Sequence, residues 1–595
     1  MSLPVSMHKS PRIWPGVAAA VLLLVSRFGV KALLPGFGGF MYAIEGVFAC
    51  AAVILLWWLF FSRAPWVERV GAPALIAVGL AGAWWGRHES MGPAWVFAYA
   101  APLVLVVFVG AVAAVRDRGA GVRRLVVGGA ILLSALGWTL VRMEGIDGDH
   151  DATFAWRWSA TAEQQLLARR VAAPVPSAAA PVAPPVETPV ERPPAPVEAS
   201  KVVESAGVVA EWPGFRGAHR DGVVPGVTIG TSWGQSAPAL LWRKPVGPGW
   251  SSFAVQGGLL YTQEQRGEEE LVTAYAVDTG ELVWKHGDAV RFFESNAGAG
   301  PRATPTLAGG RVYTLGATGV LNVLDAATGK KLWSRDTTAD TKQAAPDWGF
   351  SASPVVTQGL VIVYAGRLAA YEAATGKLRW MGEATGGSYS SPQLATIGGV
   401  EQLVMLTPEG AAGLDGASGA VLWSHEWKGM PIIQPAMVPG AGLLVSVSQL
   451  KGTRRLDPVR GPAGWTVAER WTTMALKPYF NDSVVHKGHA YGFDARILAC
   501  VDLTTGERVW KGGRYGNGQM LLLPEQDLLL VLSEEGEVAL VQARPDGFTE
   551  VAKAPALEGK TWNHPVIAAG RLFVRNGQEM AAFRLPAAGG GTGGE

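Results

Sequence analysis

The chain has 595 residues, of which 49% are hydrophobic and 17% are charged, and its formal net charge is +2. This length exceeds that of one ordinary domain, and the apolar excess indicates membrane-spanning segments. So small a net charge provides no basic field for binding nucleic acid. The two cysteines, Cys50 and Cys500, form no Cys-x-x-Cys motif, which excludes a disulfide framework, a thiolate zinc site, an iron–sulfur cluster and c-type haem.

Residues 1–145 contain five apolar stretches, and each is close to the roughly 20 residues that a helix needs to cross a membrane. They lie near residues 14–34, 41–61, 70–86, 93–115 and 125–141. These stretches predict a transmembrane anchor of about five helices. The third is short and contains Gly79, Gly82 and Gly86, so an anchor of four helices remains an alternative.

Basic residues are concentrated in the N-terminus and in the second and fourth loops of this anchor. They are Lys9, Arg12, Arg63, Arg69, Arg116, Arg118, Arg123 and Arg124, whereas the opposite side has little beyond Arg87 and Arg142. By the positive-inside rule, the N-terminus is cytoplasmic and everything after the fifth span is periplasmic. We therefore predict a multi-pass protein of the bacterial inner membrane.

Two connecting segments precede the globular part. Residues 146–170 form a short juxtamembrane segment, in which Thr161 and Gln164 predict a capping box for a helix through Arg170. Residues 171–210 contain nine prolines and predict an extended, semi-stiff tether.

Residues 211–586 carry an internal repeat that ends in tryptophan. Examples are "AYAVDTGELVW", "AYEAATGKLRW" and "CVDLTTGERVW", and a degenerate copy ends at Trp471. Successive copies are separated by 49, 47, 43, 48 and 39 residues, the size of a four-stranded propeller blade. The last unit offers only three strands, so we assume that the segment around Trp242 supplies the fourth. The repeat then predicts an all-β, eight-bladed propeller, followed by a Gly-rich disordered tail at 587–595.

Each repeat predicts a tight turn, because an Asp side chain accepts backbone N–H bonds and the following Gly tolerates positive φ. The tryptophan four residues beyond that glycine is expected to dock on a neighbouring blade as structural core. These docking tryptophans are Trp284, Trp333, Trp380, Trp423 and Trp510.

The repeat resembles a known family. Ala274, Gly280 and Trp284, and likewise the "AYEAATGKLRW" copy, are similar to the tryptophan-docking motif of the PQQ-binding-like propeller repeat family. This family includes the quinoprotein alcohol dehydrogenases and the BamB-type outer-membrane assembly lipoproteins. The resemblance covers roughly residues 212–585.

Ligands of propellers commonly bind at the central channel, which is lined by the start of the inner strand of each blade. Reading those positions gives the binding candidates Trp250, Arg302, Asp347, Trp348, Tyr389, Gln434, Asn481, Asp482, Asn563 and His564. A solvated channel without a ligand would have the same composition. No catalytic residue and no metal ligand are predicted.

The resemblance also implies an enzymatic alternative. Quinoprotein dehydrogenases pair PQQ with calcium, use an Asp base and, in many branches, stack the quinone on a disulfide of adjacent cysteines. This chain has no adjacent cysteines, and Asp347 and Asp482 fall on different blades. Five spans ahead of a periplasmic propeller are nevertheless similar to membrane glucose dehydrogenase, so a PQQ-dependent, quinone-linked dehydrogenase of an alcohol or sugar remains the alternative.

The expected function is a non-catalytic binding or scaffolding module, similar to BamB in its globular part. Its expected partners are the inner membrane and proteins or other components of the envelope, without nucleic acid and without a cofactor. The anchor departs from BamB, because several helices stand where a lipobox cysteine would be.

Overall fold

The computed structural model describes residues 12–34, 37–148, 151–172, 211–440 and 442–588. They form a bundle of apolar helices, a small hairpin followed by a helix, and a β-propeller. The first 11 residues, most of the predicted tether and the tail from 589 lie outside the described residues.

The bundle consists of apolar helices arranged up and down. Its α-helices are Trp14–Leu24, Val30–Leu33, Phe37–Leu56, Trp66–Gly86, Pro93–Ala114 and Ala120–Leu136, continued by π-helical turns at Val25–Gly29 and Trp57–Phe61 and a 3-10 turn at Gly137–Leu140. Within the described residues, three stretches are long and apolar enough to cross a membrane: Gly38–Phe61, Trp66–Gly86 and Ala120–Leu140. Trp14–Gly29 and Ala98–Ala114 are shorter apolar helices. Length and composition therefore support three of the five predicted spans.

The segment after the bundle is more ordered than its sequence suggested. Val141–Ile146 pairs antiparallel with Ala152–Trp156, and we call this element the connector hairpin. The helix Ala162–Ala172 follows. Its predicted capping box is confirmed, because Gln164 N donates to Thr161 Oγ1 at 3.1 Å and Thr161 N donates to Gln164 Oε1 at 2.8 Å.

The propeller has eight antiparallel blades of four strands, as predicted. From the inner to the outer strand, blade 1 contains Ala254–Gln256, Leu259–Arg266, Glu269–Ala276 and Leu282–Asp288, and blade 2 contains Thr306–Ala308, Arg311–Leu315, Val320–Asp325 and Lys331–Asp336. Blade 3 contains Val355–Thr357, Leu360–Tyr364, Leu368–Glu372 and Leu378–Met381, and blade 4 contains Gln393–Ile397, Val400–Thr407, Gly410–Leu414 and Val421–Glu426. Blade 5 contains Ala436–Val438, Gly442–Ser448, Gly452–Gly461 and Gly464–Thr473. Blade 6 contains Val484–His486, His489–Asp494, Ile497–Asp502 and Arg508–Arg514. Blade 7 contains Gln519–Leu523, Leu528–Leu532, Glu537–Gln542 and Glu550–Pro555. Small elements between them are the strands Phe293–Glu294 and Gly298–Ala299, the helix Thr337–Thr341 and 3-10 turns at Gln449–Lys451 and Pro524–Gln526.

Blade 8 joins the two ends of the propeller. Its inner strands are Val566–Ala568, Arg571–Arg575 and Glu579–Arg584, and its outer strand is Ala239–Pro245. The assumption that the segment around Trp242 closes the ring is confirmed. Pairing the chain ends within one blade removes a pair of open sheet edges.

The repeat tryptophans connect neighbouring blades. Trp284 Nε1 donates to Ala326 O of blade 2 at 3.0 Å, and a Cβ on Gly329 would lie 2.4 Å from the indole. Glycine is required there both by this contact and by its φ of 71°. Equivalent bonds to the next blade are made by Trp242, Trp333, Trp380, Trp471 and Trp510.

Trp423 differs from the other docking tryptophans. Its side chain is buried with Leu443 and Val445 of blade 5, but its indole N–H donates to Gln402 Oε1 within its own blade. Blade 5 replaces the Asp-x-x-Thr-Gly turn by the hairpin around Gly461 and Gly464, so the acceptor carbonyl used elsewhere is missing. The predicted docking holds for the packing of Trp423 but not for its hydrogen bond.

The channel has two distinct ends. At the end that we call the entry face, the outer strand of one blade connects to the inner strand of the next; the opposite end, the turn face, carries the Asp-x-x-Thr-Gly turns. Residues 212–222, the plug segment, lie in the channel towards the turn face, where Trp212 pairs with Val255 of the inner strand of blade 1. Arg220 of this segment donates to the carbonyls of Ser353 and Pro392.

Candidate functional site

A cavity of about 180 Å³ opens at the entry face, and we call it the mouth. It lies where the loops from the preceding blades turn into the inner strands, as the sequence predicted for a ligand site. Seven of the ten predicted binding residues line it: Trp250, Arg302, Trp348, Tyr389, Gln434, Asp482 and His564. The remaining three do not: Asp347 is exposed to solvent, whereas Asn481 and Asn563 are buried and bonded to neighbouring carbonyls.

Seven phenylalanine, tyrosine and tryptophan side chains line the mouth. Phe215 belongs to the plug segment, and we call the other six the aromatic collar: Trp250, Trp348, Tyr389, Tyr479, Phe480 and Trp562. Their ring centroids form one continuous series. Trp562 lies 4.9 Å from Trp250 and 4.8 Å from Phe480, and Trp348 lies 4.9 Å from Tyr389 and 6.3 Å from Tyr479. Such faces favour an apolar or aromatic group over a charged one.

Three residues of the aromatic collar were not among the binding residues predicted from the sequence. Tyr479, Phe480 and Trp562 stand one or two residues before the predicted Asn481 and Asn563. The prediction counted from the start of each inner strand, whereas the collar belongs to the last residues of the preceding loop. Shifting the reading by one residue towards the loop would have found Phe480 and Trp562, and a shift of two residues is needed to find Tyr479.

The floor of the mouth is a buried charged group that other parts of the protein neutralise. Asp482 Oδ1 accepts a bond from Gln434 N at 2.7 Å, while its Oδ2 lies 3.5 Å from Arg216 Nε and 3.4 Å from His564 Nε2. Burial would raise the pKa of Asp482, but Arg216 and His564 outweigh it and the pKa lies below the usual range. Burial lowers the pKa of His564, against the opposite effect of Asp482. This group fixes the plug segment below the mouth.

Arg302, on the wall, has its donors occupied by protein acceptors. It donates to Glu294 Oε1 at 3.0 Å, to Trp348 O at 3.1 Å and to Gly298 O at 2.9 Å. Glu294 in turn accepts backbone bonds from Asn296 and Ala297. Arg302 therefore joins loops of the entry face, and its guanidinium is not available as an anion site.

Lys560 is a cation that contacts the aromatic collar. Its Nζ lies 4.4 Å from the ring centre of Trp562 and 5.3 Å from that of Trp250, and it donates to Ile146 O at 2.9 Å. Burial lowers the pKa of Lys560 to about 8. The acceptor belongs to the connector hairpin, so the mouth is contacted by a segment from outside the propeller.

The fold family implies PQQ with calcium, and the residues at the mouth do not fit that pair. Calcium takes six to eight oxygen ligands, often several carboxylates. Here Asp482 faces Arg216 and His564, Glu294 faces Arg302, and Glu534 accepts bonds from Gly148, Asn517 and Trp562. Cys50 and Cys500 belong to the bundle and to blade 6, far apart in the sequence.

A second cavity, of about 420 Å³, lies towards the turn face. It is lined by the plug segment and by the inner strands of blades 2, 3 and 4. The plug segment contributes to both cavities, because Phe215 lines the mouth and Pro213, Gly214 and Gly217 line this second cavity.

Comparison with known proteins agrees with this fold. A family model described as outer membrane protein assembly factor BamB matches residues 234–345 and 268–511. Both matched ranges lie within the propeller. The chain is 24% identical to BamB of Yersinia pestis over 323 residues, which cover 51% of this chain and 70% of that protein.

A quinohemoprotein alcohol dehydrogenase, ADH-IIG of Pseudomonas putida, is 29% identical over 180 residues. That match covers 28% of this chain and 24% of the enzyme, so the chain spans about a quarter of the enzyme's length. Among solved structures, BamB from Moraxella catarrhalis has a TM-score of 0.42 at 14% identity, covering 58% of this chain and all of that one. A europium-containing methanol dehydrogenase has a TM-score of 0.40 at 12% identity, covering 63% and 98%.

Proposed function

We propose that this chain is a non-catalytic binding module, held by its helical bundle at the periplasmic face of a bacterial inner membrane. One observation carries the binding role. The charged groups that the propeller contributes to the mouth, Asp482 and Arg302, are paired with Arg216 and Glu294, while the collar presents uncharged aromatic faces. Such a site suits recognition of an apolar group better than charge transfer at a metal-bound quinone.

The membrane anchor is supported by the surface of the bundle. Large apolar side chains point outward along it, including Leu33, Trp85, Leu125 and Leu133, which are 76–86% exposed. A contiguous apolar surface of this kind is unfavourable in water and marks an interaction or membrane face. The orientation is supported by Arg63, Arg116 and Arg118 and the other basic residues at the bundle end opposite the hairpin.

The similarity to BamB supports an envelope partner, since that relative is named as an outer membrane protein assembly factor. A quinone-linked dehydrogenase of an alcohol or sugar is the second candidate, favoured by the 180-residue match to a quinohemoprotein alcohol dehydrogenase. Fold similarity alone does not decide between them.

Addition of PQQ and calcium to the purified protein separates the two candidates. A quinoprotein gains about RT ln(1 + [L]/Kd), roughly 2.7 kcal/mol at a hundredfold excess over Kd, and its melting temperature rises. We expect no shift, no effect of a chelator on the melting temperature, and no dye reduction with alcohols or sugars. An upward shift that disappears in Asp482→Asn would contradict the binding role and assign the mouth to a cofactor.

A further inference from the structure

The connector hairpin reaches into the mouth with its tip. Its backbone makes three hydrogen bonds to the propeller: Ile146 N donates to Asn296 O at 2.8 Å, Ile146 O accepts from Lys560 Nζ at 2.9 Å, and Gly148 N donates to Glu534 Oε1 at 2.7 Å. These three bonds lie within three consecutive residues of the hairpin. The propeller therefore recognises the backbone of a turn.

Two glycines make this close approach possible. A Cβ on Gly145, whose φ is 118°, would lie 2.8 Å from both Asn296 O and Lys560 Nζ. A Cβ on Gly148 would lie 1.5 Å from Asn517 Nδ2 and 2.9 Å from Glu534 Oε1. A larger residue at Gly145 would clash with the backbone of Asn296, and one at Gly148 would require the side chains of Asn517 and Glu534 or the tip itself to move.

The side chain between the glycines supplies the apolar contact. Ile146 is 4% exposed and lines the mouth together with Asp147 and the collar residues Trp250 and Trp562. The tip thus presents a branched apolar residue and an acidic residue, flanked on both sides by glycine.

The hairpin fills the mouth incompletely. A volume of about 180 Å³ remains between the tip and the floor. Two buried polar atoms that line it, Gln519 Oε1 and His564 Nδ1, have no hydrogen-bond partner among the described residues. A buried polar atom without a partner costs free energy, so a ligand that bonds to these atoms gains free energy that the hairpin does not.

We propose that the mouth is a binding site for a tight β-turn of a partner protein, and that the connector hairpin occupies this site until such a turn displaces it. The site takes a turn of the pattern glycine, branched apolar residue, acidic residue, glycine. Lys560 and Glu534 recognise its backbone, and the collar holds its apolar side chain. The inference rests on the proposed binding function and names the class of partner.

The base of the connector hairpin contacts the helical bundle. Arg27, in the π-helical turn of the first helix, pairs with Asp151 at 3.0 Å, and Ala152 N donates to Tyr99 Oη at 2.9 Å. Met143 packs against Met91 and Ala100 of the bundle. The same hairpin therefore contacts the bundle at its base and the propeller at its tip.

The test uses the full-length protein in detergent and a fluorescent cyclic peptide of residues 141–156. Gly148→Leu and, independently, Ile146→Asp displace the hairpin from the mouth of the protein. We expect the peptide to bind each variant at least tenfold more tightly than it binds the parent, as measured by fluorescence anisotropy. Adding Lys560→Met to either variant should abolish the gain, whereas Lys377→Met, at an exposed lysine of a turn-face loop, should leave it intact.

A peptide with Asp in place of Ile146 is the matched control and should bind at least tenfold more weakly. If both opened variants bind neither peptide, or bind the two peptides equally, the inference is wrong while the binding role of the propeller stands. If an opened variant instead responds to PQQ with calcium, the proposed function itself fails.

Discussion

Trp284 shows what a single repeat residue contributes. It is 9% exposed, and its ring lies against the turn of blade 2 while its N–H bonds to Ala326 O. Burial of so large an aromatic side chain stabilises the contact between two blades, and the bond satisfies the only polar atom of the ring. Because the same contact recurs around the propeller, its spacing in the sequence was sufficient to predict it.

Trp284→Ala is expected to cost about 3–5 kcal/mol, the usual loss for truncating a buried large aromatic residue. The melting temperature of the purified protein, followed by circular dichroism, should fall by several degrees. The matched control is Val283→Ala on the same strand, because Val283 is 52% exposed and should cost less than about 0.5 kcal/mol. Equal melting temperatures for the two variants would mean that Trp284 is not docked.

Because Glu270 is buried, we expect the stability of the protein to depend on pH. It is buried between blades 1 and 2, where its Oε2 accepts a bond from Ala317 N at 3.2 Å, and burial raises its pKa to about 7. Since an unfolded Glu titrates near 4.3, the native state retains a proton that the unfolded state has lost between these two values. The stability contributed by the neutral form is present below about pH 4.3 and is lost as pH rises to about 7.

Glu270→Gln should remove the loss of stability that occurs as pH rises to about 7. At pH 8 the variant should be more stable than the parent by on the order of 2–3 kcal/mol, and at pH 4.5 the two should be nearly equal. Melting curves at both pH values measure the difference, with the exposed Glu383→Gln as the control. A gain that is the same at both pH values would show that Glu270 does not titrate in this window.

Residues outside the repeat were predicted less well. The collar was found only in part, since Tyr479, Phe480 and Trp562 occupy loops of different length that share no motif. Arg216 and Arg220 of the plug segment gave no signal either, because a buried arginine is recognised only when its carbonyl and carboxylate partners are known. Contacts that recur in every repeat could therefore be predicted from the sequence, whereas contacts that occur only once could not.

At the scale of elements, the parts of the chain on both sides of the Pro-rich segment contact the propeller. The sequence predicts an extended, semi-stiff tether at residues 171–210, most of which lies outside the described residues. The structure shows contacts with the propeller on both sides of that segment, through Glu163 with Arg291 at 2.9 Å and through Trp212 with Val255. Residues on either side of the segment therefore both contact the propeller.

Cutting the Pro-rich segment tests this arrangement. A protease site inserted at Pro189 of the full-length protein should, after cleavage, leave the two parts associated during size-exclusion chromatography in detergent. The expected reason is that the hairpin tip and Glu163 remain bound to the entry face. The double variant Gly148→Leu and Glu163→Ala should release the propeller on cleavage, and Lys377→Met should not. Separation of the parent into two free parts would disprove the docking.

The eight blades and their closure were predicted from the sequence at the scale of the whole molecule. Periodicity fixed the number of blades, and the missing outer strand of blade 8 identified Ala239–Pro245 as its complement. The bundle was predicted less sharply, since apolar composition reveals helices but not their ends. Three described stretches reach a spanning length, and two are shorter.

We propose above all that this propeller stands outside the cytoplasm, held by the helical bundle. The most direct test inserts an enzyme reporter that is active only outside the cytoplasm, either at Glu211 or in the loop at Arg118, and measures its activity in intact cells. Because the basic residues of the bundle lie at the end that contains Arg118, the reporter at Glu211 should be active and the reporter at Arg118 silent. Activity at Arg118 with silence at Glu211 would contradict both the topology and the compartment.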